Sequence, residues 1–306
     1  MPSDLKNIGA SVRARLLNIS RERNQPFDLL LTRYVLERFL YRLGSTKHRE
    51  RFILKGAILL TTWFDHPLRA TRDLDLLAMG DPDPVTLLGV FRQICAIYAP
   101  DAVMFDIPSF EMDRVRNDTE HGGLRIKGNA TVDGARVRVL IDIAFGDATE
   151  PGLEETDLPV LLDFPAPRLR SYPRETVIAE KFQAMVMLGR ANSRMKDYYD
   201  IWVLSRSYEF SGDALARAIA ATFARRKTDI PTERPDGLTL AFAGDPDKKE
   251  QWAAFVKEVA VNSGSLGIVV EDLAEFLMPH AASARLLLTP KHRNDFEPKK
   301  AGLQRD

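Results

Sequence analysis

The sequence predicts an α+β fold: a mixed or antiparallel sheet flanked by helices, followed by a helical C-terminal domain. Three observations carry this. Apolar residues at helical spacing open the chain, two-residue alternation dominates residues 102–145, and helical spacing returns after Pro173. At 306 residues the chain exceeds the common single-domain size, which fits a catalytic domain with a helical extension.

Leu5, Ile8, Val12, Leu16 and Ile19 predict a first amphipathic helix, and Phe27 to Leu43 a second. RFILK (51–55) reads as a short strand with Gly56 as its exit and Ala57 to Phe64 as a helix. RDLDLLAM (72–79) is the next strand, closed by Gly80, Pro82 and Pro84, and Pro84 suits the first turn of a helix running to Tyr98. The runs FEMDRVR, LRIKGNATV and ARVRVLIDIAF alternate as strands, with turns at His121-Gly122-Gly123 and Asp133-Gly134. The proline-dense stretch 151–172 reads as a linker. It divides a catalytic domain with two N-terminal helices (1–150) from a helical domain (173–289), and 290–306 reads as a frayed tail. Residues Thr228 to Asp247 lack clean periodicity and read as a long loop.

The 43 basic and 43 acidic residues cancel, so no global charge draws the chain to nucleic acid or membrane, and an RNA partner would need a local basic patch. Arg168, Arg170, Arg174, Arg190, Arg194 and Lys196 are the candidates for one. A single cysteine, Cys95 in an apolar helical run, excludes an internal disulfide and a thiolate zinc cluster and suits a reducing compartment. With no signal core and no apolar stretch of bilayer length, the expectation is a soluble cytoplasmic protein.

The chemistry is concentrated in acids. Asp73 and Asp75, two apart on a strand, project from one face, and a pair of carboxylates there calls for a cation, with Mg²⁺ the hard ion that oxygen ligands select. A solvated strand face is the bland alternative. Asp142 lies within the apolar run VLIDIAF, where an ionised group needs a metal, a base or a hydrogen-bond network. Lys55-Gly56-Ala57 forms a strand-to-helix turn of the kind that offers backbone N–H groups to phosphate. No Walker A, dinucleotide-binding or kinase motif accompanies it. Further on, Glu175, Glu180 and Lys181 share one helix, while Asp197 and Asp200 sit at i and i+3 near the start of the next, where the helix dipole favours acids in any case.

These blocks, in this order, resemble the AbiEii/AbiGii-type toxin nucleotidyltransferases of the polymerase-β-like superfamily. The resemblance rests on FILKGA (52–57), RATRDLDL (69–76), the strand with Asp142, ETVIAEK (175–181) and RMKDYYD (194–200), and it covers about Arg51 to Leu204. It implies a nucleotidyltransferase-type sheet carrying Asp73 and Asp75 as Mg²⁺ ligands, with Asp142 in a third-carboxylate slot. It further implies that Lys181, Asp197 and Asp200 serve the nucleotide from the helical domain, and that Lys55, Gly56, Ala57, Arg69 and Thr71 attend its phosphates. The superfamily's Gly-Ser pair is here Gly56-Ala57, so any phosphate contact at that point falls to backbone N–H groups and Lys55.

The resemblance implies transfer of a nucleoside monophosphate from an NTP to an acceptor, with a tRNA 3′ end expected, by a toxin restrained through a separately encoded antitoxin. Two readings stand beside it: an inactive nucleotide- or partner-binding module, favoured by Ala57, and a small-molecule nucleotidyltransferase of the antibiotic-modifying type.

Overall fold

A computed structural model describes residues 7–64, 68–115 and 122–288; Leu5, His121 and the tail from Pro290 lie outside them. Helix α1 (Ile8–Glu22) starts where the Asn7 side chain accepts the Ala10 N–H at 2.9 Å, and it buries Val12 and Leu16. Helix α2 (Phe27–Gly44) carries a wider apolar stripe including Leu30, Val35, Phe39, Leu40 and Leu43. Strand β1 (Phe52–Lys55) leads through Gly56 into a single 3-10 turn and the short helix α3 (Leu60–Trp63), in place of one continuous helix. Strand β2 (Leu74–Ala78) is followed by α4 (Pro84–Cys95), which opens with Pro84 and is capped by Asp83 accepting the Thr86 N–H at 2.8 Å. Cys95 ends that helix, three residues short of Tyr98, and is buried.

Strands β3 (Val103–Val115), β4 (Gly123–Val132) and β5 (Ala135–Phe145) form an antiparallel meander. The turn at Asp133-Gly134 takes positive φ at both residues, 48° and 78°, as the Asp-Gly pair predicts for a two-residue hairpin. Two short strands complete the sheet, β6 (Glu154–Asp157) and β7 (Arg168–Ser171), giving the order β3-β4-β5-β2-β1-β7-β6. The β2–β5 and β1–β7 pairs are parallel and the others antiparallel, so the sheet is mixed.

The stretch expected as a linker thus contributes to the sheet. β7 pairs with β1 through Leu54 and Ser171, the Tyr172 N–H donates to the Leu54 carbonyl at 3.0 Å, and Leu158, Leu161, Leu162 and Leu169 are buried. Each strand is four residues long, too short to show a period, and Pro159, Pro165 and Pro167 fall between the strands where no ladder N–H is needed.

Phe91 of α4 meets Phe39 of α2 face to face at 5.6 Å and Phe52 of β1 edge-on at 5.2 Å, so two helices and the sheet share one aromatic core. Beside it Arg42 reaches from α2 to grip Asp101 with two bonds of 2.7 and 2.9 Å, both side chains almost fully buried. Such a pair persists because each charge has its hydrogen-bonding partner in place.

The chain divides into two units: residues up to Asp147 together with Leu153–Tyr172, and Ala148–Gly152 together with Pro173 onward. The second unit is helical: α5 (Arg174–Leu188), α6 (Met195–Ser207), α7 (Gly212–Arg225), α8 (Leu240–Gly244), α9 (Pro246–Phe255) and α10 (Leu266–Leu287). Phe182 packs on Phe223, and Tyr199 on Phe255. The stretch 228–247 is more ordered than its composition suggests. Gly237 accepts the Tyr198 hydroxyl at 2.9 Å, and Phe242 of α8 stacks on the Tyr198 ring, a tertiary contact that leaves no periodic trace. No described helix is long and apolar enough to cross a membrane.

Candidate active site

The first unit assembles its acids by register. β5 alternates, burying Val137, Val139, Ile141, Ile143 and Phe145 while Asp142 lies on the opposite, partly exposed face. The apolar run around Asp142 is therefore one buried face with a polar position between, and the aspartate is not sunk in the core. Asp142 is the cross-strand partner of Asp75 on β2, and laterally paired residues share a sheet face at roughly 4.8 Å strand spacing. Asp73 precedes β2 by one residue and has the same parity as Asp75.

Both flanks of this acidic pair are cationic. On β4, Arg125 is the cross-strand partner of Asp142 and holds it with a fork, Nε to Oδ1 at 2.6 Å and a terminal nitrogen to Oδ2 at 2.7 Å. Hydrogen bonding to Asp142 pushes the Arg125 pKa up against the opposing effect of burial, and the charges of Asp142, Asp73 and Asp75 add to the rise. On β1, Lys55 is the cross-strand partner of Asp75, and its Nζ lies 2.6 Å from Asp147 and 5.1 Å from the centre of the Tyr172 ring. Across β4, β5, β2 and β1 the row reads Arg125, Asp142, Asp75, Lys55: two anions in the middle, one cation at each end.

Gly56 explains why the turn after β1 tolerates no larger residue. Its φ is +76°, and a Cβ there would come within 2.0 Å of Asp75 Oδ2. The glycine is thus the cradle of the Asp75 carboxylate. Ala57 begins the 3-10 turn, the Thr71 hydroxyl donates to the Asp73 carbonyl at 3.3 Å, and Arg69 donates to the Ala70 carbonyl at 3.2 Å.

The donor set fits a divalent cation. Asp73 and Asp75 offer carboxylate oxygens on a partly exposed edge, and Mg²⁺ is ordinarily held by one or two carboxylates, with water and substrate phosphate completing its shell. Among the described residues, no three His, Cys, Asp or Glu side chains group so as to hold a metal by themselves, and both Asp142 oxygens accept from Arg125.

In the second unit, Lys181 on α5 meets Asp197 at 2.5 Å and Asp200 at 2.9 Å, both on α6. The lysine is 14% exposed, Asp197 7% and Asp200 not at all, so this is a buried triad rather than a pair of acids decorating a helix start. Arg190, Arg194 and Lys196 are exposed. The other candidates for a basic patch are engaged: Arg168 with Glu155 and Asp157, Arg170 with Glu50, and Arg174 over the Tyr208 ring at 4.0 Å.

Comparison with known proteins gives this arrangement its class. The family model for the nucleotidyl transferase AbiEii toxin of the type IV toxin–antitoxin systems matches residues 38–277, most of the chain and every site residue named above. The chain belongs to the AbiEii nucleotidyltransferase family. Two crystal structures from Helicobacter pylori are similar over 87% of this chain: JHP933, with 94% of its own chain covered, and a protein provisionally described as a nucleotidyltransferase, with 95% covered. Identity is 16% in both, with TM-scores of 0.46 and 0.44 respectively, so the assignment to the AbiEii family rests on the family model. Among curated proteins no match to the chain is found.

Two charged residues beside the acidic edge of this AbiEii-family chain were not apparent from sequence motifs, Arg125 and Asp147. Arg125 was accessible in principle: a two-residue turn at Asp133-Gly134 pairs Val132 with Ala135, and counting outward along both strands puts Arg125 opposite Asp142. Asp147 lies two residues past the end of β5 at Phe145, after the positive-φ Gly146, and no periodicity points to it.

Proposed function

We propose that the chain is a Mg²⁺-dependent nucleotidyltransferase toxin that moves a nucleoside monophosphate from an NTP to a tRNA 3′ end and is restrained by a separately encoded antitoxin. The observation that carries this reading is the register pairing of Asp75 with Asp142, with Asp73 on the same face and Gly56 cradling the Asp75 carboxylate. Family membership supplies the reaction class.

In this reading the acceptor hydroxyl attacks the α-phosphorus in line. One P–O bond forms, the bond to the β-phosphate bridge breaks, diphosphate leaves, and the hydroxyl proton passes to Asp142 or to water. Asp73 and Asp75 would hold the Mg²⁺, which when bound would supply charge neutralisation and ease deprotonation of the hydroxyl. Lys55, Arg69 and the backbone N–H groups at Gly56-Ala57 attend the phosphates with Thr71, since this chemistry is accelerated chiefly by positioning and electrostatics.

The test is incubation with NTPs labelled at the α-phosphate in three parallel mixtures: total RNA, protein alone, and small-molecule acceptors. Label should appear at tRNA 3′ ends with Mg²⁺ and vanish in Asp73→Asn and Asp75→Asn. Label confined to the protein or to small molecules would overturn the tRNA assignment. No aspartate-dependent label in any mixture would leave the inactive-module reading.

A further inference from the structure

We propose that Arg125 is a built-in counter-ion of the acidic edge, which holds Asp142 in a fork and thereby competes with the divalent cation for the site. The inference rests on the metal-site reading above and goes beyond it, because it assigns to this chain a residue that sets how tightly the ion is held.

Three facts lead to it. Arg125 and Asp142 are cross-strand partners joined by two short bonds, a bidentate geometry that fixes the carboxylate plane and occupies both of its oxygens. Asp142 is in turn the partner of Asp75, so the guanidinium stands one strand beyond the pair of facing carboxylates. The fork is partly exposed, 35% for Arg125 and 30% for Asp142, so an entering ion and its waters can reach the same oxygens without unfolding the sheet.

Charges of like sign within one site repel, and a divalent ion entering beside Asp75 meets the Arg125 charge at short range. For a divalent ion roughly 6 Å from a monovalent one in a water-like medium, that repulsion corresponds to about tenfold in binding. The same guanidinium relieves repulsion among Asp73, Asp75 and Asp142 before any ion arrives, so Arg125 trades cation affinity for an edge that is stable by itself. A lysine at this position would keep the charge and lose the fork.

The experiment measures Mn²⁺ binding to the whole protein by electron paramagnetic resonance, without nucleotide, for wild type, Arg125→Gln and Arg125→Lys, each with and without Asp73→Asn. Melting temperatures are taken in the same buffers with and without Mn²⁺. Arg125→Gln should bind Mn²⁺ about tenfold more tightly, melt lower than wild type in metal-free buffer, and recover most of that loss on adding Mn²⁺. Arg125→Lys should stay near wild-type affinity, and Asp73→Asn should abolish the tightening. Unchanged or weaker binding in Arg125→Gln overturns the proposal and leaves Arg125 a structural residue, and so does tightening that survives Asp73→Asn. Mg²⁺- and Asp73-dependent transfer alongside equal Mn²⁺ affinities defeats this inference alone. Asp73-dependent tightening without any transfer defeats the proposed function alone.

Discussion

Asp75 and Asp142 face each other across adjacent parallel strands, the one β2–β5 pair that brings the third acid to the Asp-x-Asp motif. Sixty-odd residues that include α4, β3 and β4 separate them in sequence, so the acidic pair depends on β3 and β4 folding back to deliver β5 next to β2. Everything proposed for the reaction hangs on that register, because a slip of one residue would send Asp142 to the buried face.

Gly56 should be the most sensitive small residue of the site. Gly56→Ala demands positive φ from a residue with a Cβ and drives that carbon into the Asp75 carboxylate. We expect a loss of about 1–3 kcal/mol in urea denaturation together with weakened Mn²⁺ binding. Gly134→Ala is the control: its φ is +78°, but no atom lies within 4 Å of its Cβ position. It should cost about 1 kcal/mol through the backbone alone and leave ion binding intact. Equal Mn²⁺ affinity in Gly56→Ala and wild type would refute the cradle.

Lys181 carries a structural burden besides any role in transfer. Taking away its charge leaves the buried Asp197 and Asp200 facing each other without it, and breaking a buried ion pair from one side costs about 3–5 kcal/mol. Lys181→Met and Asp197→Asn should each lower stability. The double variant should recover about 1–3 kcal/mol relative to additivity. Strict additivity would show that the pair is not coupled. Transfer by Lys181 variants therefore has to be scored per folded molecule, since a change in melting temperature is expected whatever the lysine does in the reaction.

His280 on α10 gives the helical unit a pH dependence of known sign. Burial lowers its pKa below the usual 6.5, partly offset by a backbone hydrogen bond at Gly212, and its ring meets Phe276 edge-on at 5.3 Å. A depressed folded-state value means that the unfolded chain binds the proton more readily. The stability involved is therefore present above about pH 6.5 and is lost as pH falls through the folded value. Denaturation between pH 7 and pH 5 should show declining stability in wild type and a flatter profile in His280→Gln. Parallel profiles would place the acid sensitivity elsewhere.

Local structure was legible in the sequence, and so was the fold class. The Asp-Gly turn, the Pro84 helix start, the alternation of β3 to β5 and the helical periods after Pro173 each depend on residues within a few positions of one another. Asp73 and Asp75 stood out for the same reason. The ordered motif blocks identified the AbiEii family because order and spacing are properties of the chain itself.

Tertiary structure alone decided what those residues face. The presumed linker became β6 and β7 because β1 offers an edge more than a hundred residues upstream, and no local pattern encodes a partner that distant. Asp142, read as a charge in an apolar run that needs a metal, a base or a hydrogen-bond network, lies on the partly exposed face of an alternating strand and has its partner in Arg125, supplied by β4. Lys55 turned to Asp147, and Lys181 to Asp197 and Asp200, through contacts set by packing between elements. The physical reason is common to all of these: periodicity reports which way a side chain points, whereas the charge it meets there is supplied by another segment whose position only the folded sheet or helix pair determines.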